Sequence, residues 1–166
     1  MKEVKNLAIK NNCLGEVEHE SLSREMIDKA LPMLMFMVLK RSGKIKSRGA
    51  VNGSYERLHT DKTECTSPTP EFYSLKHVCE TAAKEDRDVS TIDLPGFFLQ
   101  TESEEGDDTI VKLTSALALL LVECDEKWRK NLRHENGKWT MYAKCNKVTC
   151  GKMNAALMEC KKLERC

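Results

Sequence analysis

The chain has 166 residues, enough for one domain with a hydrophobic core of its own. Hydrophobic residues make up 40% and charged residues 32%, which excludes a disordered protein and is typical of a globular one. The net charge is only +1, so any nucleic-acid binding must come from local basic patches. The longest apolar stretches, residues 31–39 and 116–122, are too short to cross a bilayer, and the chain does not open on a signal peptide. We therefore expect an intracellular protein, cytoplasmic or nuclear, without a membrane partner.

The eight cysteines predict free thiols rather than a disulfide framework. No Cys-x-x-Cys pair is present, and the expected compartment is reducing. The alternative is a zinc site near Cys145, Cys150 and His134.

The first half of the chain predicts a leader, a helix and a hairpin. Residues 1–22 are polar without a clear hydrophobic period, so we expect a poorly ordered leader before a domain over residues 23–166. Ser23 is placed to begin a short helix that Pro32 stops. Residues 33–39 predict a buried strand, with a helix as the alternative. After a turn at residues 41–44, residues 45–51 predict the returning strand.

The middle of the chain predicts a polar loop over residues 60–70 and a helix over residues 70–86. Thr69 is expected to cap this helix, with Pro70 at its first position. The apolar face of the helix would comprise Phe72, Leu75, Val78, Cys79 and Ala82. Residues 89–94 and 110–113 predict strands, and the acidic residues 102–108 predict an exposed connection between them.

The last third predicts two helices and a second hairpin. Residues 115–132 predict a helix capped by Ser115, and the Asn-Gly pair at 136–137 predicts a turn into a strand over residues 138–144. Residues 151–163 predict a final amphipathic helix. Its inward side chains would be Met153, Ala156, Leu157 and Cys160. Strands and helices do not alternate regularly, which favours an α+β fold.

Three features could carry chemistry. Lys44, Lys46 and Arg48 fall on one face of the predicted return strand and could clamp a triphosphate, although lysines also protect exposed strand edges from aggregation. Asp93 ends a predicted strand, so its carboxylate and the backbone carbonyl of Leu94 could hold a magnesium ion, or Asp93 could cap the following turn.

Asn154, on the first turn of the last helix, is the third feature. Its amide could contact a base, sugar or phosphate, or it could simply be solvated.

Six landmarks occur in a characteristic order along the chain. They are RGAVNG (48–53), TSPT (66–69), RDVSTIDLPGFFLQ (87–100), ENGK (135–138), KVTCG (147–151) and NAAL (154–157). No single landmark is specific, but their order and spacing resemble the reverse transcriptase of copia-type retrotransposons over residues 31–163. This resemblance implies the fingers and an incomplete palm of a right-hand polymerase.

The resemblance also implies a set of site residues. Asp93 would be the first metal-binding carboxylate, with the Leu94 carbonyl as a further ligand of Mg²⁺. The nucleotide-binding residues would be Lys46 and Arg48 for the triphosphate, Phe98 as the steric gate against a ribose 2′-hydroxyl, and Asn154 beside the incoming nucleotide. The implied partners are an RNA/DNA primer–template and a deoxynucleoside triphosphate.

The chain departs from the family pattern in ways that predict a catalytically incomplete fragment. The second metal motif, Tyr-x-Asp-Asp, has no counterpart before Cys166, and Asp107 and Asp108 lie in an acidic loop that cannot replace it. Phe97 adds a ring next to the expected nucleotide site, and the remaining polyprotein domains are absent. The alternatives are a non-catalytic nucleic-acid- or nucleotide-binding remnant, and a pseudogene product without a selected role. The latter would expose apolar surface and a sheet edge.

Overall fold

The computed structural model of the protein describes residues 1–61, 63, 65–104 and 106–165. Parts of the predicted loops at Lys62, Glu64 and Glu105, together with Cys166, lie outside the described residues. The α-helices are α1 (Lys2–Lys5, continued by a π-turn over Asn6–Lys10), α2 (Arg24–Asp28), α3 (Phe72–Lys84), α4 (Ala116–Cys124) and α5 (Ala155–Glu164). The strands are β1 (Leu14–Glu16), β2 (Leu31–Leu39), β3 (Ile45–Val51), β4 (Ile110–Thr114), β5 (Arg133–Glu135) and β6 (Lys138–Cys145). This mixture confirms the α+β class.

The strands form one sheet in the order β1-β6-β4-β2-β3, and β5 pairs with the start of β6. All neighbours are antiparallel except β2 and β4, which run parallel. That parallel pairing covers only Leu31 opposite Val111 and Pro32 opposite Lys112. The remainder of β2 therefore extends away from the central strands together with β3, as a long hairpin.

The main core lies between the sheet, the N-terminal helical segment and α4. Val4, Leu7 and Leu14 are buried in it with Leu121 and Trp128. Residues 1–22, predicted to be a poorly ordered leader, thus form helix and strand that help to close the core. Their apolar positions do follow a helical spacing, but the pattern is too short to stand out among the lysines. The proposed domain boundary at residue 22 stays a prediction.

Several predictions that rest on local signals are confirmed. Ser23 caps α2, its Oγ accepting a hydrogen bond of 3.2 Å from the Met26 amide. The hairpin of β2 and β3, strand β4, and the Asn-Gly turn between β5 and β6 also form where they were expected. Turn residues fix backbone angles over a few positions, so turn predictions depend little on tertiary packing.

The predicted burial of strand β2, and the predicted start and burial of helix α3, are wrong. Strand β2 is buried only near its start, at Leu31 and Met33, whereas Met37 is 74% exposed and Leu39 71% exposed. Helix α3 begins at Phe72 with Glu71 at its N-cap, so Thr69 and Pro70 precede it rather than cap and open it. Its predicted inward face is exposed in Phe72, Leu75, Val78 and Cys79, and only Ala82 is buried.

The strand predicted over residues 89–94 is not present. These residues have no regular secondary structure and are exposed, with Ile92 at 83%. A β-strand requires a neighbour that satisfies its backbone hydrogen bonds, and an apolar run alone does not supply one.

Both C-terminal helices differ from their predicted extents. Helix α4 ends at Cys124, is followed by a 3₁₀ segment over Glu126–Asn131, and receives no side-chain cap from Ser115. Helix α5 begins at Ala155 and buries Ala155, Met158 and Glu159, not the four residues expected. No helix within the described ranges is long and apolar enough to span a bilayer.

Candidate nucleic-acid interface

One face of the β2–β3 hairpin combines two cations with an aromatic ring. The turn is closed by a 2.9 Å hydrogen bond from the Lys40 amide to the Lys44 carbonyl. The resulting register places Phe36 opposite Arg48 and Val38 opposite Lys46. Alternate residues of a strand share a face, so Lys46 and Arg48 lie on one face beside the Phe36 ring, which is 53% exposed.

A cavity of about 720 Å³ lies at the base of this hairpin. Its lining includes Leu34, Phe36, Ala50, Arg57, Gly151 and Met153. Arg57 is a third cation, and it lines the same cavity as the Phe36 ring. The cavity therefore continues the basic face toward the loop that precedes α5.

The hairpin is held against that loop by a close backbone approach. The Val51 amide donates a 2.8 Å hydrogen bond to the Cys150 carbonyl. A Cβ on Gly151 would lie 2.0 Å from the Val51 carbonyl oxygen, and Gly151 has a φ of +98°, so only glycine fits there. Burial raises the pKa of the Cys150 thiol, while the nearby positive charge of Arg48 opposes that rise. Arg48 thus lies near the start of the segment that leads to Asn154.

Asn154 occupies the N-cap position of α5 and borders a small polar cavity. Its side chain does not cap the helix, and its Oδ1 is buried without a hydrogen-bond partner among the described residues. The cavity, of about 200 Å³, is also lined by Glu56, Asp107 and Lys152. Asn154 thus borders this space with its Oδ1 buried, and the nucleotide contact stays a prediction.

Lys152 and Asp107 form a buried ion pair next to that cavity. The Lys152 Nζ donates to Asp107 Oδ2 at 2.5 Å and to Thr109 Oγ1 at 2.9 Å, and the lysine side chain is only 2% exposed. Burial alone would raise the pKa of Asp107, but hydrogen bonds from Lys152 and Thr109 and the lysine charge hold it below its usual value. The Asp107 carboxylate is therefore charged at neutral pH.

Phe98 lies in a 3₁₀ segment, Phe97–Gln100, that packs on α5. Its half-buried ring contacts the buried cluster of Val148, Ala155 and Met158. Lys162 Nζ holds the segment by donating a 2.8 Å hydrogen bond to the Gln100 carbonyl. The structure thus brings Phe98 next to the residue that follows Asn154.

Asp93 is not brought into a comparable site. It is exposed in the irregular segment described above, and Leu94 beside it is 44% exposed. No group of three or more histidine, cysteine or acidic side chains is arranged to hold a metal within the described residues. The Mg²⁺ site that the family resemblance implies at Asp93 therefore stays a prediction.

The alternative zinc site also lacks support in the described part of the chain. Zinc requires deprotonated thiols. Burial raises the pKa values of the Cys145 and Cys150 thiols, and no group of three or more potential metal ligands includes them within the described residues. The same cause raises the pKa of the nearby Cys13 to about 11.

Sequence reasoning missed Phe36 and Lys152. Phe36 could have been found, because the turn at residues 41–44 sets the register that places it opposite Arg48. Lys152 could not, because its partner Asp107 is 45 residues away. Long-range pairs of this kind leave no periodic signal in a single sequence.

The fold and the site together define an α+β domain with a basic, aromatic-bearing hairpin face. No family model matches the chain, and no curated protein or solved structure is similar to it. The resemblance to reverse transcriptases therefore stays a prediction that rests on the six sequence landmarks.

Proposed function

We propose that this chain is a reverse-transcriptase-like fragment of fingers and partial palm that binds single-stranded nucleic acid through its hairpin face. The observation that carries the proposal is the cross-strand pair of Phe36 and Arg48. Proteins that bind single strands combine aromatic side chains, on which bases stack, with cations that follow the phosphates. The hairpin face has both.

The arrangement of the cations supports a track for a phosphate backbone. Lys46 and Arg48 are two residues apart on β3, which separates them by about 6.6 Å along the strand. Arg57 lines the cavity that also contains Phe36, so positive charge continues toward the hairpin base. A guanidinium group binds a phosphate through two parallel hydrogen bonds, which makes Arg48 and Arg57 the stronger anchors.

Catalysis is the weaker part of the family resemblance. Nucleotidyl transfer in the intact family uses metal ions that bridge the phosphates and activate the attacking hydroxyl. Asp93, with the Leu94 carbonyl, would be the metal end of such a site, and Phe98 and Asn154 would contact the nucleotide. Because Asp93 is exposed and the sequence contains no Tyr-x-Asp-Asp motif, we propose nucleic-acid binding, and not synthesis, as the activity of this chain.

Binding can be tested by fluorescence anisotropy with a labelled oligothymidine of about twelve nucleotides, a length within the range that such sites cover. Phe36→Ala should weaken binding by about 1–3 kcal/mol, the usual worth of one stacked base. Arg48→Ala should reduce the slope of log K against log salt by about 0.7. Phe72→Ala and Arg24→Ala are matched controls, because both side chains are exposed outside the hairpin. Equal losses in the controls, or no binding at low salt, would contradict the proposal.

Primer extension tests the catalytic part separately. Purified protein with Mg²⁺, a primer–template and deoxynucleoside triphosphates should give no template-dependent product. A product that Asp93→Ala abolishes would overturn the assignment of binding alone and would support the polymerase site. Absence of both binding and a cooperative melt would instead favour a product without a selected role.

A further inference from the structure

The outer edge of β3 is open over part of its length. β3 is the last strand of the sheet. The Gly49 amide points away from β2 and reaches Glu3 Oε1 at 3.4 Å, and the Val51 amide points the same way toward the Cys150 carbonyl. Outward-pointing groups recur every second residue on an antiparallel edge strand. The amide and carbonyl groups of Ile45 and Ser47 therefore point outward as well.

These outward groups of Ile45 and Ser47 have no backbone or side-chain partner among the described residues. An unpaired strand edge is a template for another extended chain, because it presents donors and acceptors in alternation. The outward amides of Gly49 and Val51 are already paired, because they donate to Glu3 Oε1 and to the Cys150 carbonyl. The open part of the edge is thus short and well defined.

A cleft of about 870 Å³ runs along this open edge. It touches residues 44–47 in succession. Consecutive strand residues point to opposite faces, so a cleft that touches all four follows the edge and not one face. Its opposite wall is the N-terminal helical segment, through Lys2, Lys5, Ile9 and Lys10.

The cleft has a cationic rim and apolar side chains inside it. Six lysines line it, namely Lys2, Lys5, Lys10, Lys40, Lys44 and Lys46. None of them takes part in an ion pair within the described ranges. Glu3 is the one acidic side chain in the lining, and its Oε1 accepts a hydrogen bond from the Gly49 amide. Ile9 and Ile45 supply exposed apolar surface, at 46% and 72%.

We propose that this cleft binds an extended acidic peptide segment of a partner protein, which adds to β3 as a further strand and places its carboxylates on the lysine rim. Strand addition obtains affinity from backbone hydrogen bonds and specificity from alternate side chains. The peptide would pair with Ile45 and Ser47 through its backbone. An apolar residue between its acidic ones would contact Ile9 and Ile45.

A peptide fits this cleft better than a nucleic acid does. Phosphates can accept hydrogen bonds from the Ile45 and Ser47 amides but cannot donate to their carbonyls. The cleft lining also contains no aromatic side chain on which a base could stack. This surface therefore differs in chemistry from the Phe36 and Arg48 face of the same hairpin, although Lys46 borders both.

Amide hydrogen exchange gives the direct test. The probe is a labelled peptide of alternating glutamate and valine residues, with a lysine–valine peptide as the charge-reversed control. The acidic peptide should slow exchange of the Ile45 and Ser47 amides and leave the inward-pointing Lys46 and Arg48 amides unchanged. Binding without protection of Ile45 and Ser47 would overturn strand addition. Equal binding of the lysine–valine peptide would overturn the role of the rim.

Substitutions at one position separate the backbone from the side chain. Ser47→Pro removes the outward amide and should weaken peptide binding about fivefold or more, because one hydrogen bond is lost. Ser47→Ala keeps the amide and should bind as the unmodified protein does. The exchange experiment on the unmodified protein decides the matter if Ser47→Pro does not fold.

The charge of the rim is tested on the helical wall of the cleft. Lys5→Glu and Lys10→Glu together should weaken the acidic peptide further and reduce its salt dependence. Arg48→Ala should leave peptide binding unchanged, so failure of this inference is distinguishable from failure of the proposed nucleic-acid function. Because Lys46 borders both surfaces, the competition is measured on Lys46→Ala: displacement of the peptide by oligothymidine from this variant would show one shared anionic site and would overturn the peptide assignment.

Discussion

Asp107 and Lys152 join the loop before β4 to the loop before α5 through an ion pair of 2.5 Å in which the lysine side chain is 2% exposed. The next acidic residue, Asp108, pairs with Lys144 at 2.6 Å, but both of those side chains are exposed. Two neighbouring carboxylates of one acidic segment thus make one buried and one solvated ion pair. The segment, predicted from its sequence to be an exposed connection, is anchored at Asp107.

Lys152→Met should destabilise the protein, because it removes the cation from the half-buried Asp107 carboxylate and leaves it only the hydrogen bonds from Thr109. Breaking a buried ion pair costs about 3–5 kcal/mol, whereas an exposed pair contributes about 1 kcal/mol or less. Lys144→Met is therefore the matched control, with a small expected effect. Urea denaturation at neutral pH measures both free energies of unfolding. Equal losses for the two variants would contradict the buried role of Lys152.

The stability that Asp107 contributes should depend on pH in the acid range. Its folded-state pKa lies below its unfolded value, which is about 3.9. The contribution is therefore fully present above the unfolded pKa and is lost as pH falls through the lower folded pKa. The difference in unfolding free energy between the unmodified protein and Asp107→Asn should be constant from about pH 6 to pH 5 and shrink below about pH 4. A difference in unfolding free energy that grows on acidification would show that folding raises the pKa of Asp107 and does not lower it.

Gly151→Ala should disrupt the junction between the hairpin and α5. The new Cβ would lie 2.0 Å from the Val51 carbonyl oxygen, and the residue has a φ of +98°. Overpacking and left-handed strain together should cost about 3 kcal/mol or more. Gly96→Ala is the control, since Gly96 also has a positive φ but open space around its Cα, so strain alone should cost about 1–2 kcal/mol. Thermal melts of the two variants check the difference, and equal shifts would contradict the close approach.

Glu159→Met should stabilise the protein. Glu159 is 4% exposed, and both of its carboxylate oxygens are buried without a hydrogen-bond partner in the described part of the chain. Methionine has a similar length and removes the cost of burying unpaired polar atoms, about 1–3 kcal/mol. Glu164→Met, an exposed change on the same helix, should alter stability by less than about 0.5 kcal/mol. A lower melting temperature for Glu159→Met would show that the carboxylate has a partner that stabilises it.

The positions of the candidate site residues were predictable to different degrees. That Lys46 and Arg48 share a face followed from strand alternation, and the hairpin register confirms it. That Asp93 ends a strand was wrong, because the apolar run before it has no neighbouring strand with which to pair. The roles of Phe98 and Asn154 stay predictions. Their proximity at the start of α5 depends on packing between segments about 55 residues apart, which one sequence does not encode in any local pattern.

Taken alone, the sequence determined the elements that form through contacts between near neighbours. These are the Ser23 cap, the β2–β3 hairpin, strand β4, the Asn-Gly turn and the α+β class. Turn residues set backbone angles over a few positions, whereas caps depend more on context, since Ser23 caps its helix and Thr69 and Ser115 do not.

Only the tertiary structure decided which apolar faces are covered and which polar groups meet. Val4 and Leu7 are buried in the core, whereas Phe72 and Leu75 are exposed. Both pairs have the same helical spacing in the sequence. Burial depends on whether another element lies opposite, and ion pairs such as that of Asp107 with Lys152 depend on chain segments far apart in sequence. The open edge of β3 arises in the same way, because a strand has a free edge only when the rest of the fold places nothing beside it.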